Sequence, residues 1–150
     1  MWRESLKEVA EIRKKRNREV NIGATQTEIE LLKKEIIRRL DVVLPEEYLD
    51  VLKVINGLEF NGYILYGIDE EILERTTNQH ITGVIDSNEV WYENEEQKQY
   101  IFFGESGISW YVYHIESGEY KILDMPSGDV CETFEHFEDM LDNMLKEALE

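Results

Sequence analysis

The chain has 150 residues, of which 42% are hydrophobic and 33% are charged, and its formal net charge is −17. This length suits one folded domain, and the hydrophobic share excludes a disordered chain. No apolar run approaches the roughly 20 residues that a membrane span needs, and the N-terminus lacks the apolar centre of a signal peptide. We therefore expect a cytoplasmic protein with a single domain over residues 1–150.

The charge is distributed unevenly along the chain. Residues 1–40 carry 11 Lys and Arg against 7 Asp and Glu, a net of +4, whereas residues 41–150 carry 5 against 26, a net of −21. An acidic body of this kind repels nucleic acid and speeds association with basic proteins. The sequence therefore predicts a basic protein partner, with neither nucleic acid nor a membrane as a partner. Solubility is the alternative explanation of the charge.

The first part of the chain predicts two helices. Residues 2–19 are strongly charged with a loose apolar stripe, so we expect a helical extension over about 1–24. Its basic run at 14–18 is more typical of a solvated helix end than of a nucleic-acid arm. Thr25 and Glu28 then fit a capping box, which predicts an amphipathic helix ending near Asp41.

The stretch over residues 44–68 predicts a helix, a glycine stop and a strand. Pro45 can begin the helix, and apolar residues recur at helical spacing as far as Ile55. Asn56-Gly57 is typical of a helix end, because glycine tolerates the left-handed conformation found there. Residues 63–66 are aromatic and aliphatic, which is typical of a short buried strand.

The pattern is weaker between residues 69 and 99. We expect a loop over 75–79 and a strand over 81–85. Residues 86–88 are suited to cap a short helix that carries Trp91 and Tyr92.

The last third predicts hairpins followed by a helix. Strands are expected over 100–103, 109–115 and 119–124, with a short edge at 130–131. Thr133 is expected to cap the last helix, with Phe134 and Phe137 facing the core. The predicted fold class is therefore α+β, a mainly antiparallel sheet packed by N-terminal helices and a C-terminal helix.

Short motifs in two regions resemble the SUKH superfamily, which includes bacterial toxin-immunity proteins and fungal cell-wall-synthesis regulators. The first region holds "LP-x-x-Y" from Leu44, then "NG" and "LYG". The second is "YIFFGESGISWYVYHIESGEYKILD", followed by "TFEHFEDML". Together the similarity spans roughly residues 29–145.

The resemblance implies a non-enzymatic protein-binding module. As an immunity protein, the chain would bind and neutralise a toxin made by the same cell, and its acidic body would suit a basic toxin such as a nuclease. The alternative is a regulatory or scaffold protein similar to the fungal members, with an unknown partner. A small hydrolase that uses the carboxylates ranks last.

The residues themselves predict no enzyme, no cofactor and no metal. The candidates for chemistry are His80, His114, His136 and Cys131, and none has converging partners in the sequence. His136 and Glu132 are four residues apart and could share a helix face. His114 is expected to be hydrogen-bonded in a strand, and Cys131 to be a small buried residue.

The aromatic residues suggest a partner-binding site. Trp91 and Tyr92 directly precede Glu93, Glu95 and Glu96, and an aromatic anchor beside a negative patch suits a basic protein. Burial in the core is the alternative for the aromatic pair. We expect the chain itself to be a monomer or a weak homodimer.

Overall fold

The computed structural model describes residues 1–73, 77 and 80–150. Five α-helices run in chain order as α1 (Trp2–Lys15), α2 (Gln26–Leu40), α3 (Glu46–Leu52), α4 (Val84–Trp91) and α5 (Phe137–Leu149). The strands are β1 (Leu58–Phe60), β2 (Tyr63–Leu65), β3 (Tyr100–Glu105), β4 (Ser109–His114), β5 (Glu119–Asp124) and β6 (Val130–Phe134). Short 3-10 helices occupy Glu70–Ile72 and Glu95–Gln99.

The six strands form one sheet in the order β1-β2-β3-β4-β5-β6. Every neighbouring pair is antiparallel, so each strand pairs with the strand that follows it in the chain. Helices pack around this meander. The predicted α+β class with a mainly antiparallel sheet is confirmed.

The two faces of the sheet carry separate aromatic clusters. On one face Phe137 of α5 lies against Phe103 and Tyr120, with ring centroids 5.3 and 5.8 Å away. On the other, Trp91 lies against Phe102 and Trp110, at 5.9 and 5.3 Å. Successive residues of a strand point to opposite faces, which separates the two clusters. The last helix thus packs on the sheet as predicted, but on the face away from Trp110.

The predicted capping box is present in α2. Thr25 accepts from the backbone N–H of Glu28, and the Glu28 carboxylate accepts from the N–H of Thr25. The helix ends with Asp41 in the left-handed conformation, at φ 56°. Its start and its end therefore both follow the sequence prediction.

The helix predicted to end at Asn56-Gly57 stops earlier, at Leu52. Asn56 instead holds the next segment, because its side-chain oxygen accepts from the Ile68 N–H at 2.8 Å. Gly57, at φ +79°, turns the chain into β1. The Asn-Gly pair therefore marks the turn before β1. The strand β1 itself was not predicted from the sequence.

The strand predicted over 81–85 is wrong. Gly83 makes only an isolated bridge to Gly67, and α4 begins directly after it at Val84. The predicted cap at 86–88 is also wrong, because the cap comes from Asp69, whose carboxylate accepts from the N–H groups of Ile85 and Asp86 at 2.9 Å. A Cβ on Gly83 would lie 2.1 Å from Asp69 Oδ2, so this approach requires glycine. The loop predicted over 75–79 lies outside the described residues, except at Thr77.

The start of the last helix also differs from the prediction. Thr133 and Phe134 belong to β6, where they pair with Lys121 and Tyr120 of β5. The helix begins at Phe137, with His136 as its N-cap residue. Because β6 pairs with β5, the edge strand predicted at 130–131 runs on to Phe134, and Thr133 does not cap the helix.

Helix α1 packs against α5. Trp2 and Val9 are almost completely buried there, and Arg13 donates a hydrogen bond to the Glu59 carbonyl of β1. Within the described residues, no helix is both long and apolar enough to cross a membrane.

Candidate protein-binding site

The five residues predicted to bind a partner lie together at the end of α4 and in the segment that follows it. Trp91 and Tyr92 are half-buried, whereas Glu93, Glu95 and Glu96 are exposed. The structure therefore provides the negative patch, and it leaves only part of each aromatic ring accessible. Their role in binding stays a prediction.

Trp91 serves the fold through most of its surface. Its indole N–H donates to the hydroxyl of Tyr66 at 3.0 Å. The Tyr66 hydroxyl in turn donates to Glu105 Oε2 at 2.6 Å. With its ring against Phe102 and Trp110, Trp91 ties α4 to β3, to β4 and to Tyr66, the residue that follows β2. Its removal is therefore expected to destabilise the protein, so Trp91 alone cannot report on partner affinity.

Tyr92 is also anchored, because its hydroxyl donates to the backbone carbonyl of Tyr100. Burial raises the pKa of the Tyr92 hydroxyl to about 12, so it stays protonated at neutral pH. One side of the residue remains open and lines a surface groove of about 560 Å³. Glu93, the next residue, lines the same groove.

The groove has both apolar and charged walls. Its apolar wall includes Ile115, which is 47% exposed, and Val90 on the neighbouring helix is 55% exposed. Its cationic wall includes Arg38 and Lys98. The sequence analysis did not identify the two exposed aliphatic residues, because it placed Ile115 only at the end of a predicted strand and Val90 only in a predicted short helix.

The cations beside the groove are already paired. Arg39 contacts Glu71, Asp86 and Glu89 at 3.0, 3.4 and 2.6 Å. Burial alone would lower the pKa of Arg39, but hydrogen bonds and charges from Glu71 and Glu89 outweigh it and raise the pKa. Lys98 pairs with Glu95 at 2.8 Å. Glu93 and Glu96 have no ion pair within the described part of the chain, so they remain available to a basic partner.

Asn88 fixes α4, and with it the candidate site, to the sheet. Its side chain accepts from the Phe102 N–H at 2.8 Å and donates to the Phe102 carbonyl at 2.9 Å. It also donates to the Val84 carbonyl at 2.7 Å. Strand β2 reaches only the end of β3, where it pairs with Gly104 and Glu105. The backbone N–H and carbonyl of Phe102 lie beyond that pairing, and the Asn88 side chain satisfies them in place of a partner strand.

One group of carboxylates lies close enough together to hold a cation. Oxygens of Asp69, Glu71 and Asp86 lie within 4.8 Å of one another, the only such group in the described ranges. Asp69 is engaged by the N-terminal N–H groups of α4, and both Glu71 and Asp86 contact Arg39. These partners give the cluster a structural role at the base of α4.

The three histidines and the cysteine have separate surroundings. His80 faces Glu70 at 3.6 Å, and His136 faces Glu47 at 3.1 Å, not Glu132. His114 is hydrogen-bonded as expected, to Ser117 and Gln99. Cys131 is exposed on β6, so the prediction that it is buried is wrong.

The fold defines a class of α+β proteins in which helices cover a six-stranded antiparallel meander. The chain belongs to the SMI1 / KNR4 family (SUKH-1), whose model matches residues 23–143. Membership supports an immunity or regulatory role at the level of the family, whose members are generally not enzymes. No curated protein matches the chain. Helix α1 lies outside the matched stretch.

Proposed function

We propose that this chain is a non-enzymatic immunity protein that acts in the cytoplasm by binding and neutralising a cognate toxin domain. The family match over residues 23–143 carries the proposal. The net charge of −21 over residues 41–150 supports a basic partner, such as a nuclease. In this proposal residues 1–150 act as one domain, with α1 as an extension packed on α5.

We propose the end of α4 as the surface that meets the toxin. Glu93 and Glu96 supply exposed negative charge, and Ile115, Val90 and the open edge of Tyr92 supply apolar contact. A small apolar centre with a charged rim is the usual anatomy of such an interface. Trp91 contributes mainly by holding this surface in place.

The test of the function is protection of a living cell. Expressing the chain should rescue growth of a cell that produces the toxin domain encoded by the neighbouring gene. No rescue, despite folded and abundant protein, would contradict the immunity role.

A regulatory or scaffold module similar to the fungal cell-wall-synthesis regulators is the second candidate. The family description, which names SMI1 and KNR4, favours it. A neighbouring gene that encodes no toxin domain would favour this candidate over the first.

The exposed carboxylates Glu93, Glu95 and Glu96, called the acidic rim below, give a prediction about the rate of association. Changing Glu93, Glu95 and Glu96 together to Gln should slow association with the toxin domain by roughly tenfold at low salt, because steering raises association rates. The slowing should shrink at high salt, where the field is screened. Surface plasmon resonance at two salt concentrations measures both effects.

The matched control removes the same charge from another surface. Glu132, Glu135 and Glu138 are also exposed, in β6, in the link between β6 and α5, and at the start of α5. Their triple Gln variant should associate distinctly faster than the rim variant. Equal rates for the two variants would show that overall charge matters and that this surface is not the interface.

A non-enzymatic mechanism gives a second prediction. Alanine at His80, His114, His136 or Cys131, one at a time, should leave cellular protection unchanged, because binding needs none of these groups for chemistry. A variant that keeps its circular dichroism spectrum and thermal melt but loses all protection would instead point to a catalytic or ligand-binding role for that residue.

A further inference from the structure

The basic run of α1 borders a second groove. It has a volume of about 920 Å³ and lies between the end of α1 and the turn joining β1 to β2. Arg13, Lys14, Asn17 and Arg18 line one wall, and residues 59–62 line the other. Among the residues that the structure describes, none lines both this groove and the one beside Tyr92.

The cations of this run differ from most others in the molecule. Elsewhere, six described cations each form an ion pair with a carboxylate: Lys33, Arg38, Arg39, Lys53, Lys98 and Lys146. Lys14, Arg16 and Arg18 form none with the described residues. The chain holds 33 Asp and Glu, so partners are abundant. Arg3, Lys7, Lys34 and Lys121 also lack an ion pair among the described residues, but they are dispersed along the chain, whereas Lys14, Arg16 and Arg18 lie within five positions of one another.

Arg13 lies close enough to Arg16 and Arg18 for their positive charges to act on it. Its guanidinium donates to the Glu59 carbonyl, while its Nε is buried without a hydrogen-bond partner in the described part of the chain. Burial and the nearby charge of Arg18 lower the pKa of Arg13, although Glu59 acts in the opposite direction. The carboxylates of Glu19 and Glu59 also line the groove, so among the described lining residues both signs of charge occur, with cations in excess.

We propose that this groove binds a small phosphorylated molecule, with Lys14 and Arg18 as the main contacts to its phosphate groups. Guanidinium groups present paired donors that match phosphate oxygens, and lysine adds a compact point charge. The volume lies within the range of small-molecule sites. Apart from the neighbours of Gly62 in the chain, no atom of the described residues lies within 4 Å of the position that a Cβ on Gly62 would take, so a phosphate can approach the backbone there.

The charge of the rest of the chain favours a compact ligand over a polymer. Nucleic acid and anionic membranes extend beyond the groove and would face a body with a net charge of −21 over residues 41–150. That repulsion acts over about 8 Å at physiological ionic strength, whereas a small anion lies wholly among the cations. The groove proposed here is separate from the proposed toxin-binding surface at the end of α4. Failure of either proposal would therefore leave the other standing.

The experiment is calorimetric titration of the full chain with inorganic pyrophosphate, with ADP and with a short oligothymidine, at low ionic strength. Pyrophosphate should bind the wild-type protein, and the double variant Lys14→Gln, Arg18→Gln should bind it at least about tenfold more weakly, because it loses two charge-assisted contacts. Equal affinity for ADP and pyrophosphate would support recognition of the phosphates alone. Tighter binding of ADP would support a nucleotide as the source.

A charge-matched control distinguishes an effect of the groove itself from an effect of the protein's overall charge. Lys7 and Lys34 are exposed and have no ion pair among the described residues, so Lys7→Gln, Lys34→Gln removes the same charge elsewhere. It should change the affinity by no more than about twofold, since exposed charges interact weakly. An equal loss in the control, no binding of pyrophosphate by the wild-type protein, or tighter binding of oligothymidine than of pyrophosphate would each overturn the proposal. Amide shifts of Asn17 and Gly62 in the wild-type protein supply a readout that needs no variant.

Discussion

Replacing Phe137 with alanine should lower the free energy of unfolding by about 3 to 5 kcal/mol, the usual cost of removing a buried phenyl ring. Phe137 is 1% exposed and lies at the centre of an aromatic cluster. Its ring is 5.3 Å from Phe103, 5.6 Å from Tyr48 and 5.8 Å from Tyr120. These contacts join α5, α3 and two strands, so the cavity would lie where several elements meet. Chemical denaturation followed by circular dichroism measures the change.

Phe134 provides the matched control, because it is the same residue type three positions earlier. It lies in the edge strand β6 and is only partly buried. Its replacement by alanine should cost clearly less, about 1 to 2 kcal/mol, in proportion to the smaller area that it buries. Equal losses in the two variants would contradict the placement of α5 described above.

Asn88→Ala should be the most costly change of a polar residue. Asn88 is completely buried, and its amide satisfies both the N–H and the carbonyl of Phe102. Removing it leaves these backbone groups unpaired, and each buried, unsatisfied group costs about 1 to 3 kcal/mol. We therefore expect a loss of about 3 kcal/mol in the free energy of unfolding, together with weaker binding of any partner that contacts the end of α4.

The control for this change lies on the same helix. Val90 is 55% exposed, so Val90→Ala should alter stability by no more than about 0.5 kcal/mol, as exposed substitutions usually do. If Asn88→Ala proved as mild as Val90→Ala, the two bonds to Phe102 would not be the contacts that hold α4 against β3.

The features predicted correctly from the sequence are those set by neighbouring residues. The capping box of Thr25 and Glu28 is local, and so is the pattern that predicted the strand over 119–124. Both patterns need only a few adjacent positions to be recognised. The order of helix, hairpins and last helix likewise came from local patterns along the chain, and the resemblance to the SUKH superfamily rests on motifs in two of these regions.

The features missed depend on contacts between distant parts of the chain. Asp69 caps a helix that begins 15 residues later at Val84, so no local cap signal precedes that helix. Asn88 fits a helix cap at residues 86–88 in isolation, yet its side chain bonds the backbone of Phe102 in place of a partner strand. Thr133 fits a helix cap in isolation, but pairing with β5 makes it part of a strand. Contacts with distant parts of the chain determine the structure at each of these positions. Such contacts leave no signal in the neighbouring sequence.

The candidate site was only partly predictable for the same reason. The acidic run at Glu93, Glu95 and Glu96 is exposed, as its composition indicates. The orientation of Trp91 follows from its bond to Tyr66 and its contact with Trp110, which lie 25 and 19 positions away. The exposed Ile115 beside Tyr92 likewise depends on how β4 meets the segment after α4. The charge of the surface was therefore predictable, but its apolar part was not.

The most direct measurement of the proposed function is a titration of the purified chain into the purified toxin domain encoded by the neighbouring gene, with toxin activity as the readout. We predict that activity falls in proportion to the added chain and is lost at equimolar amounts, with a one-to-one complex in analytical ultracentrifugation. The rim variant should reach the same endpoint more slowly at low salt. Full toxin activity in the presence of excess folded chain would contradict the account.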